Sequence, residues 1–187
     1  MAKTDPETIK RERKKNIQWV VTIFVMTILI SGTISLVSDE VMANSSVVVA
    51  FCILLAIIFL GILFDIIGMA VATADEKPFH SMAARKVPGA HEAIRLLRNA
   101  ERVSSICNDV VGDICGIVSG TTAAVILLRL NESFSVNSLV TSVLVTALIS
   151  GLTIGGKAVG KNIAISQSTK VVYWVGRVIH VFHPVRR

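Results

Sequence analysis

No lysine or arginine occurs between Lys15 and Lys77, and none between Arg102 and Arg129. Only 17% of the residues are charged against 52% hydrophobic, and mean hydropathy is +0.68. That balance excludes an ordinary water-soluble domain and points to a protein whose solvent is the lipid bilayer. Cysteine is also sparse: Cys52, Cys107 and Cys115 all fall inside apolar runs, where they read as small packing residues. They give no disulfide framework and no zinc pattern. There is no nucleophile–base–orienter set, phosphate loop or redox motif, so an enzyme is not expected. The net charge of +6 does not imply a nucleic-acid partner, because the basic residues stand in separated blocks beside long uncharged runs.

Four apolar runs have spanning length: residues 17–37, 47–72, 103–128 and 139–156. The first follows a basic arm, residues 1–16, and its length fits a span better than the shorter core of a signal peptide. The expected fold class is therefore all-α, a polytopic membrane bundle of four transmembrane helices. Six Lys or Arg lie in the arm, six between Ala74 and Arg102 and six from Lys157 onward, which accounts for all but one of the 19. By the positive-inside rule these segments face the cytoplasm, giving a multi-pass cell-membrane protein with both termini cytoplasmic.

Two amphipathic regions accompany the spans. In residues 78–101, Pro88-Gly89 separates two short helical patterns, with Ile94, Leu97 and Val103 as the apolar stripe, so a helical hairpin under the membrane is expected. In residues 168–183, Val171, Val175, Val178 and Phe182 share one face, and Tyr173 and Trp174 suit the headgroup region. An interfacial helix follows. His80, His91, His180 and His183 lack ligand spacing and read as polar-face residues.

Three acids lie inside the apolar runs: Asp65, Asp109 and Asp113. None has a basic residue within its own run, and the other two runs supply none. An ionised carboxylate at the bilayer centre costs at least ~2.5 kcal/mol on insertion scales, so such residues face protein or water and usually mark an ion or proton path. At about 1.5 Å per residue all three fall in the inner half of the bilayer. Asp109 and Asp113 share a helix face, and Asn108 adds a carbonyl oxygen beside them. Two readings follow: a cation held among hard oxygens, as Mg²⁺ prefers, or a protonated acidic network. Ser105 and Thr153 are weaker candidates, since such hydroxyls more often bond to their own helix backbone. Gly112, Gly116 and Gly120, with Gly151 and Gly155, form steps of small residues suited to close helix packing.

Several stretches resemble the transmembrane domain of the cyclin-M/CorC (CorB) magnesium transporter family. FDIIGMAVATAD, from Phe64, is similar to that family's F-S-G-S-E-M-A-L segment. PGAHEAIRLLRNAERV, from Pro88, resembles its G-A-x-x-A-L-x-L-L-x-x-P-D-R-F. GGKAVGKNIA, from Gly155, resembles its E-x-x-P-K-x-x-A, with Lys157 at the lysine. The resemblance covers residues 47–187, leaves the first span as an addition, and ends where the family's CBS domains would begin. It implies a homodimer that binds Mg²⁺ between its spans, with Asp65 at a serine ligand position. The sequence departs from the family pattern at Thr153, Gly156, Gly68 and near Val111 and Gly112, where the family carries a glutamate, a proline, a glutamate and an asparagine pair. The expectation is a membrane protein that binds a divalent cation, with transport of that ion left open, and with Asp65, Asn108, Asp109 and Asp113 as metal ligands. The alternative is a non-transporting scaffold whose hairpin and tail dock a cytoplasmic protein. Proton-coupled transport of a small solute is a third reading.

Overall fold

In the computed structural model, residues 6–43, 46–133 and 138–182 are described. Among them every regular element is helical and no strand occurs. The order is α1 (Pro6–Ala43), α2 (Val47–Thr73), α3 (Lys77–Ala84), α4 (Ala90–Arg98) and α5 (Ala100–Ser105). A π-helical turn (Ile106–Gly112) then leads into α6 (Asp113–Ser133), α7 (Ser138–Ser166) and α8 (Ser168–Phe182). Four stretches are long and apolar enough to cross a membrane: Asn16–Val37, Val47–Thr73, Ala100–Arg129 and Ser142–Ser166. The chain is a helical membrane protein, as its hydropathy requires.

The most apolar span, α2, is central. It packs against α5, the π-turn, α6, α7 and α8. Toward its start, Ala50, Leu54 and Ile58 bury against Ala123 and Ile126 of α6. Toward its end, Ala70 and Val71 join Phe79, Ala93, Ile94, Ala164 and Val172, so one core ties the hairpin and the tail helix to the span. The first span is peripheral: its apolar window has no buried residue, and Ile23, Ile30 and Ile34 lean on Val110, Ile114 and Val118. Its helix begins at Pro6 and runs through the basic arm without a break.

The hairpin forms where the Pro88-Gly89 pair predicts it, with Gly89 at φ 88° between α3 and α4. Ile94, Leu97 and Val103 all join the lower core, although Val103 belongs to α5. The tail helix is correctly placed, but its buried face differs from the expected one. Val172 and Gly176 are buried, whereas Val178 and Phe182 are exposed. The reason is Gly176, whose missing side chain lets α8 lie against the Gly89 carbonyl and Ala93 of α4.

Two further expectations are corrected. The fourth span does not stop at Gly156; α7 continues through Lys157 and Lys161 to Ser166, because this segment holds no proline and its single glycine, Gly160, is tolerated within a helix. The packing glycines are also not the expected set. Gly112 lies against Asp65, but a Cβ at Gly116, Gly120, Gly151 or Gly155 would meet nothing within 4 Å. The close approaches fall at Gly61 against Cys115, Gly68 against Asn108, and Gly156 and Gly160 against Ile62 and Ile66. On α7 the small-residue step is the right length but lies five residues further on, so a different face meets α2.

This assigns opposite outcomes to similar substitutions. Gly61→Val and Gly160→Val should each lower stability by roughly 1–3 kcal/mol through overpacking. Gly151→Ala should stay within about 0.5 kcal/mol of the parent. Thermal unfolding of the detergent-solubilised protein checks the contrast.

Candidate functional site: a buried carboxylate at a π-helical turn

The middle of α2 presents Asp65 and, one turn later, Gly68 toward the third span. That span answers with Gly112 and Asn108 in antiparallel register: Asp65 Oδ1 lies over Gly112, and the Asn108 amide lies over Gly68. A Cβ at either glycine would meet the facing polar side chain, which would have to shift to admit it. Asp65 is 5% exposed. It is a carboxylate deep in an apolar bundle, where an unpaired charge would be prohibitive.

Its counter-charge comes from α7. Lys157 Nζ lies 2.9 Å from Asp65 Oδ2 and donates to the Gly112 carbonyl at 3.3 Å. The expectation that the intramembrane acids have no basic partner is therefore wrong for Asp65. The cause is the length of α7: because the helix continues past Gly156, Lys157 lies within a span rather than in the tail, and its ammonium reaches inward.

The third span is not a uniform α-helix at this point. Over Ile106–Gly112 it widens to a π-turn, returning to α at Asp113. Such turns disturb the regular i→i−4 ladder and recur at functional sites. Here the last residue of the turn, Gly112, turns its carbonyl oxygen to the Lys157 ammonium. The turn also positions Asn108. Its Nδ2 donates to Ser104 Oγ at 3.2 Å, whereas its Oδ1 is buried and, alone among the buried side-chain polar atoms of the described residues, has no hydrogen-bond partner. Leaving a buried acceptor unpaired costs about 1–3 kcal/mol, so it demands a reason.

Of the four expected metal ligands, Asp65 and Asn108 therefore line one interface about a turn apart. Asp109 and Asp113 do not join them; both are exposed on the surface of the isolated chain. Asp109 is one residue from Asn108 and Asp113 one from Gly112, and a one-residue step turns a side chain about 100° around the helix. The face that meets α2 is taken by Asn108, Gly112 and Cys115, which carries the carboxylates away from Asp65. Among the described residues no three His, Cys, Asp or Glu converge as a metal-binding group. Thr153 bonds to its own helix, donating to the Ile149 carbonyl at 2.8 Å. Lys157 and the Gly112 carbonyl are the participants that sequence reasoning missed; the match of Lys157 to a motif lysine was the available signal.

A second buried carboxylate lies in the hairpin. Glu92 of α4 is 3% exposed, and His180 Nδ1 of α8 lies 2.7 Å from its Oε1, fastening the tail helix to the hairpin. No protein-family model, curated protein or solved structure matches this chain.

The Asp65–Lys157 pair has a testable signature. Asp65→Asn or Lys157→Met should each destabilise the protein by roughly 3–5 kcal/mol, the usual result of stranding one buried charge. The double variant should lose less than either single one, and a double-mutant cycle on thermal unfolding measures the difference.

Proposed function

We propose that this protein binds and transports a divalent cation, Mg²⁺, at the interface between α2 and the π-turn, with Lys157 as a tethered counter-ion that the metal displaces. The observation that carries the reading is the unpartnered Asn108 Oδ1, buried a turn from an equally buried carboxylate. An acceptor with no donor, a carboxylate and a backbone carbonyl are all hard oxygen ligands. The one positive group among them is the Lys157 ammonium, which stands where a cation would be attracted. Mg²⁺ keeps several waters and needs only one or two carboxylates, so Asp65 with the Asn108 and Gly112 oxygens suits it without a dedicated cage.

Transport follows from exchange. With Lys157 on Asp65 the site is neutral and closed. Mg²⁺ binding releases the ammonium toward the basic end of α7, where a long side chain snorkels readily. Loss of the ion lets Lys157 return. The resemblance to the cyclin-M/CorC transmembrane domain supports the same ion and places Lys157 at a motif residue. The protein acts as a homodimer in the cell membrane, with basic segments cytoplasmic. The exposed Asp109 and Asp113 cannot rest against lipid, and a second copy covers that face.

A second reading has its own observation, since Lys157 already neutralises Asp65. In it the pair is a structural staple, and the chain is a scaffold whose hairpin and tail dock a cytoplasmic protein. Titration of Mg²⁺ into protein in lipid nanodiscs, followed calorimetrically and by melting temperature, separates the two. The cation reading predicts saturable binding that Asp65→Asn abolishes and that Lys157→Met tightens about tenfold, ~1.4 kcal/mol, by removing a competitor. If Lys157→Met shows no binding and no thermal response to Mg²⁺, the scaffold reading replaces it.

A further inference from the structure

The face of the hairpin formed by α3 and α4 holds a groove of about 400 Å³ in which every ionisable lining residue is basic: His80 from α3, and His91, Arg95 and Arg98 from α4. Asn99 closes one end, and Ala83 with the buried Ile94 gives an apolar floor. One acid stands at the margin. Glu76 accepts from Arg98 Nε at 3.1 Å and lies 3.1 Å from His80 Nε2, so a single carboxylate is shared by two bases. Among the described residues, the side chains of His91 and Arg95 have no hydrogen-bond or ion-pair partner. Two guanidiniums against one carboxylate leave the groove positive before either imidazole takes up a proton.

The depth of this groove is fixed by its neighbours. Asn99 directly precedes the third span, which begins at Ala100. Arg102 of α5 lies over the Trp19 ring of the first span, 5.1 Å from its centroid. Tryptophan paired with arginine at the mouths of two spans marks the headgroup boundary. Arg98 and Asn99 immediately precede this boundary in the chain, which brings the groove to the level of the lipid headgroups.

We infer that this groove binds a phosphate group, held between Arg95 and Arg98 with the histidines beside it and presented by an anionic phospholipid. A guanidinium offers a planar fork of donors that matches phosphate oxygens two at a time. The residual positive charge suits a phosphodiester carrying one negative charge. The apolar floor covers the glycerol end, which a free phosphate would leave unused. Basic pockets at the ends of membrane helices bind anionic headgroups by this chemistry. The site is separate from the α2–π-turn niche and does not depend on the cation reading.

Native mass spectrometry and thermal unfolding of the full chain test it, with phosphatidylglycerol, phosphatidylcholine and inorganic phosphate as probes. The parent should retain phosphatidylglycerol over phosphatidylcholine by about thirtyfold, as expected for two arginines at the membrane surface. Arg95→Gln/Arg98→Gln should reduce that preference to near parity, while Arg85→Gln, on the turn outside the groove, should leave it intact. Because Arg98 also holds Glu76, Arg95→Gln alone is the second variant, and it should lose about half of the effect on a logarithmic scale. If inorganic phosphate stabilises the lipid-free protein as much as the lipid does, and Arg95→Gln removes this, the phosphate site stands and its source is soluble. A preference unchanged by Arg95→Gln and by the double variant, or no response to either phosphate probe, overturns the inference.

Discussion

A carboxylate inside an apolar bundle has to be neutralised, and this requirement organises the middle of the molecule. Asp65 is compatible with its surroundings because Lys157 meets it from the neighbouring helix, at 2.9 Å. That contact demands close approach on both sides, hence glycine at Gly112 under the carboxylate and at Gly156 where α7 crosses Ile62. It also demands that α7 continue as a helix beyond the apolar run. The π-turn completes the arrangement by facing the Gly112 carbonyl and the Asn108 amide into the same interface. An ion pair of this kind is poor evidence of stability for its own sake, because dehydrating both charges consumes most of what their attraction returns. The unpaired Asn108 oxygen beside it adds a further cost that packing does not explain. On the proposed cation reading, exchangeable occupancy by a positive ion would account for both.

The spans were legible because their signal is additive: twenty apolar residues in a row fix a helix and its environment whatever the neighbours do. The hairpin was legible for a local reason, the left-handed position that Gly89 fills after Pro88. The end of the fourth span was not. Lys157 and Lys161 read as topology charges, and only the partner across the interface shows that one of them points inward. Hydropathy treats a lysine as a boundary, yet a lysine opposite a buried aspartate is a contact.

The candidate site was half legible for the same reason. That Asp65 and Asn108 matter follows from chemistry alone, since neither belongs in lipid. Which acids share a niche depends on helix phase, and the sequence leaves phase open. Asp109 and Asp113 share a face with each other, as their spacing requires, but that face is not the one Asp65 meets. The glycine steps failed similarly: the period of four was right, while the pair that meets α2 lies five residues further on, at Gly156 and Gly160.

The account rests on Asp65 being ionised within the membrane and able to change its positive partner. Difference infrared spectroscopy of the protein in lipid, with Asp65→Asn as the reference, observes that carboxylate directly. The account predicts an ionised carboxylate band without added metal, and a shift of that band on adding Mg²⁺ that the variant lacks. A protonated carbonyl band assigned to Asp65, or a carboxylate band indifferent to Mg²⁺, would contradict it.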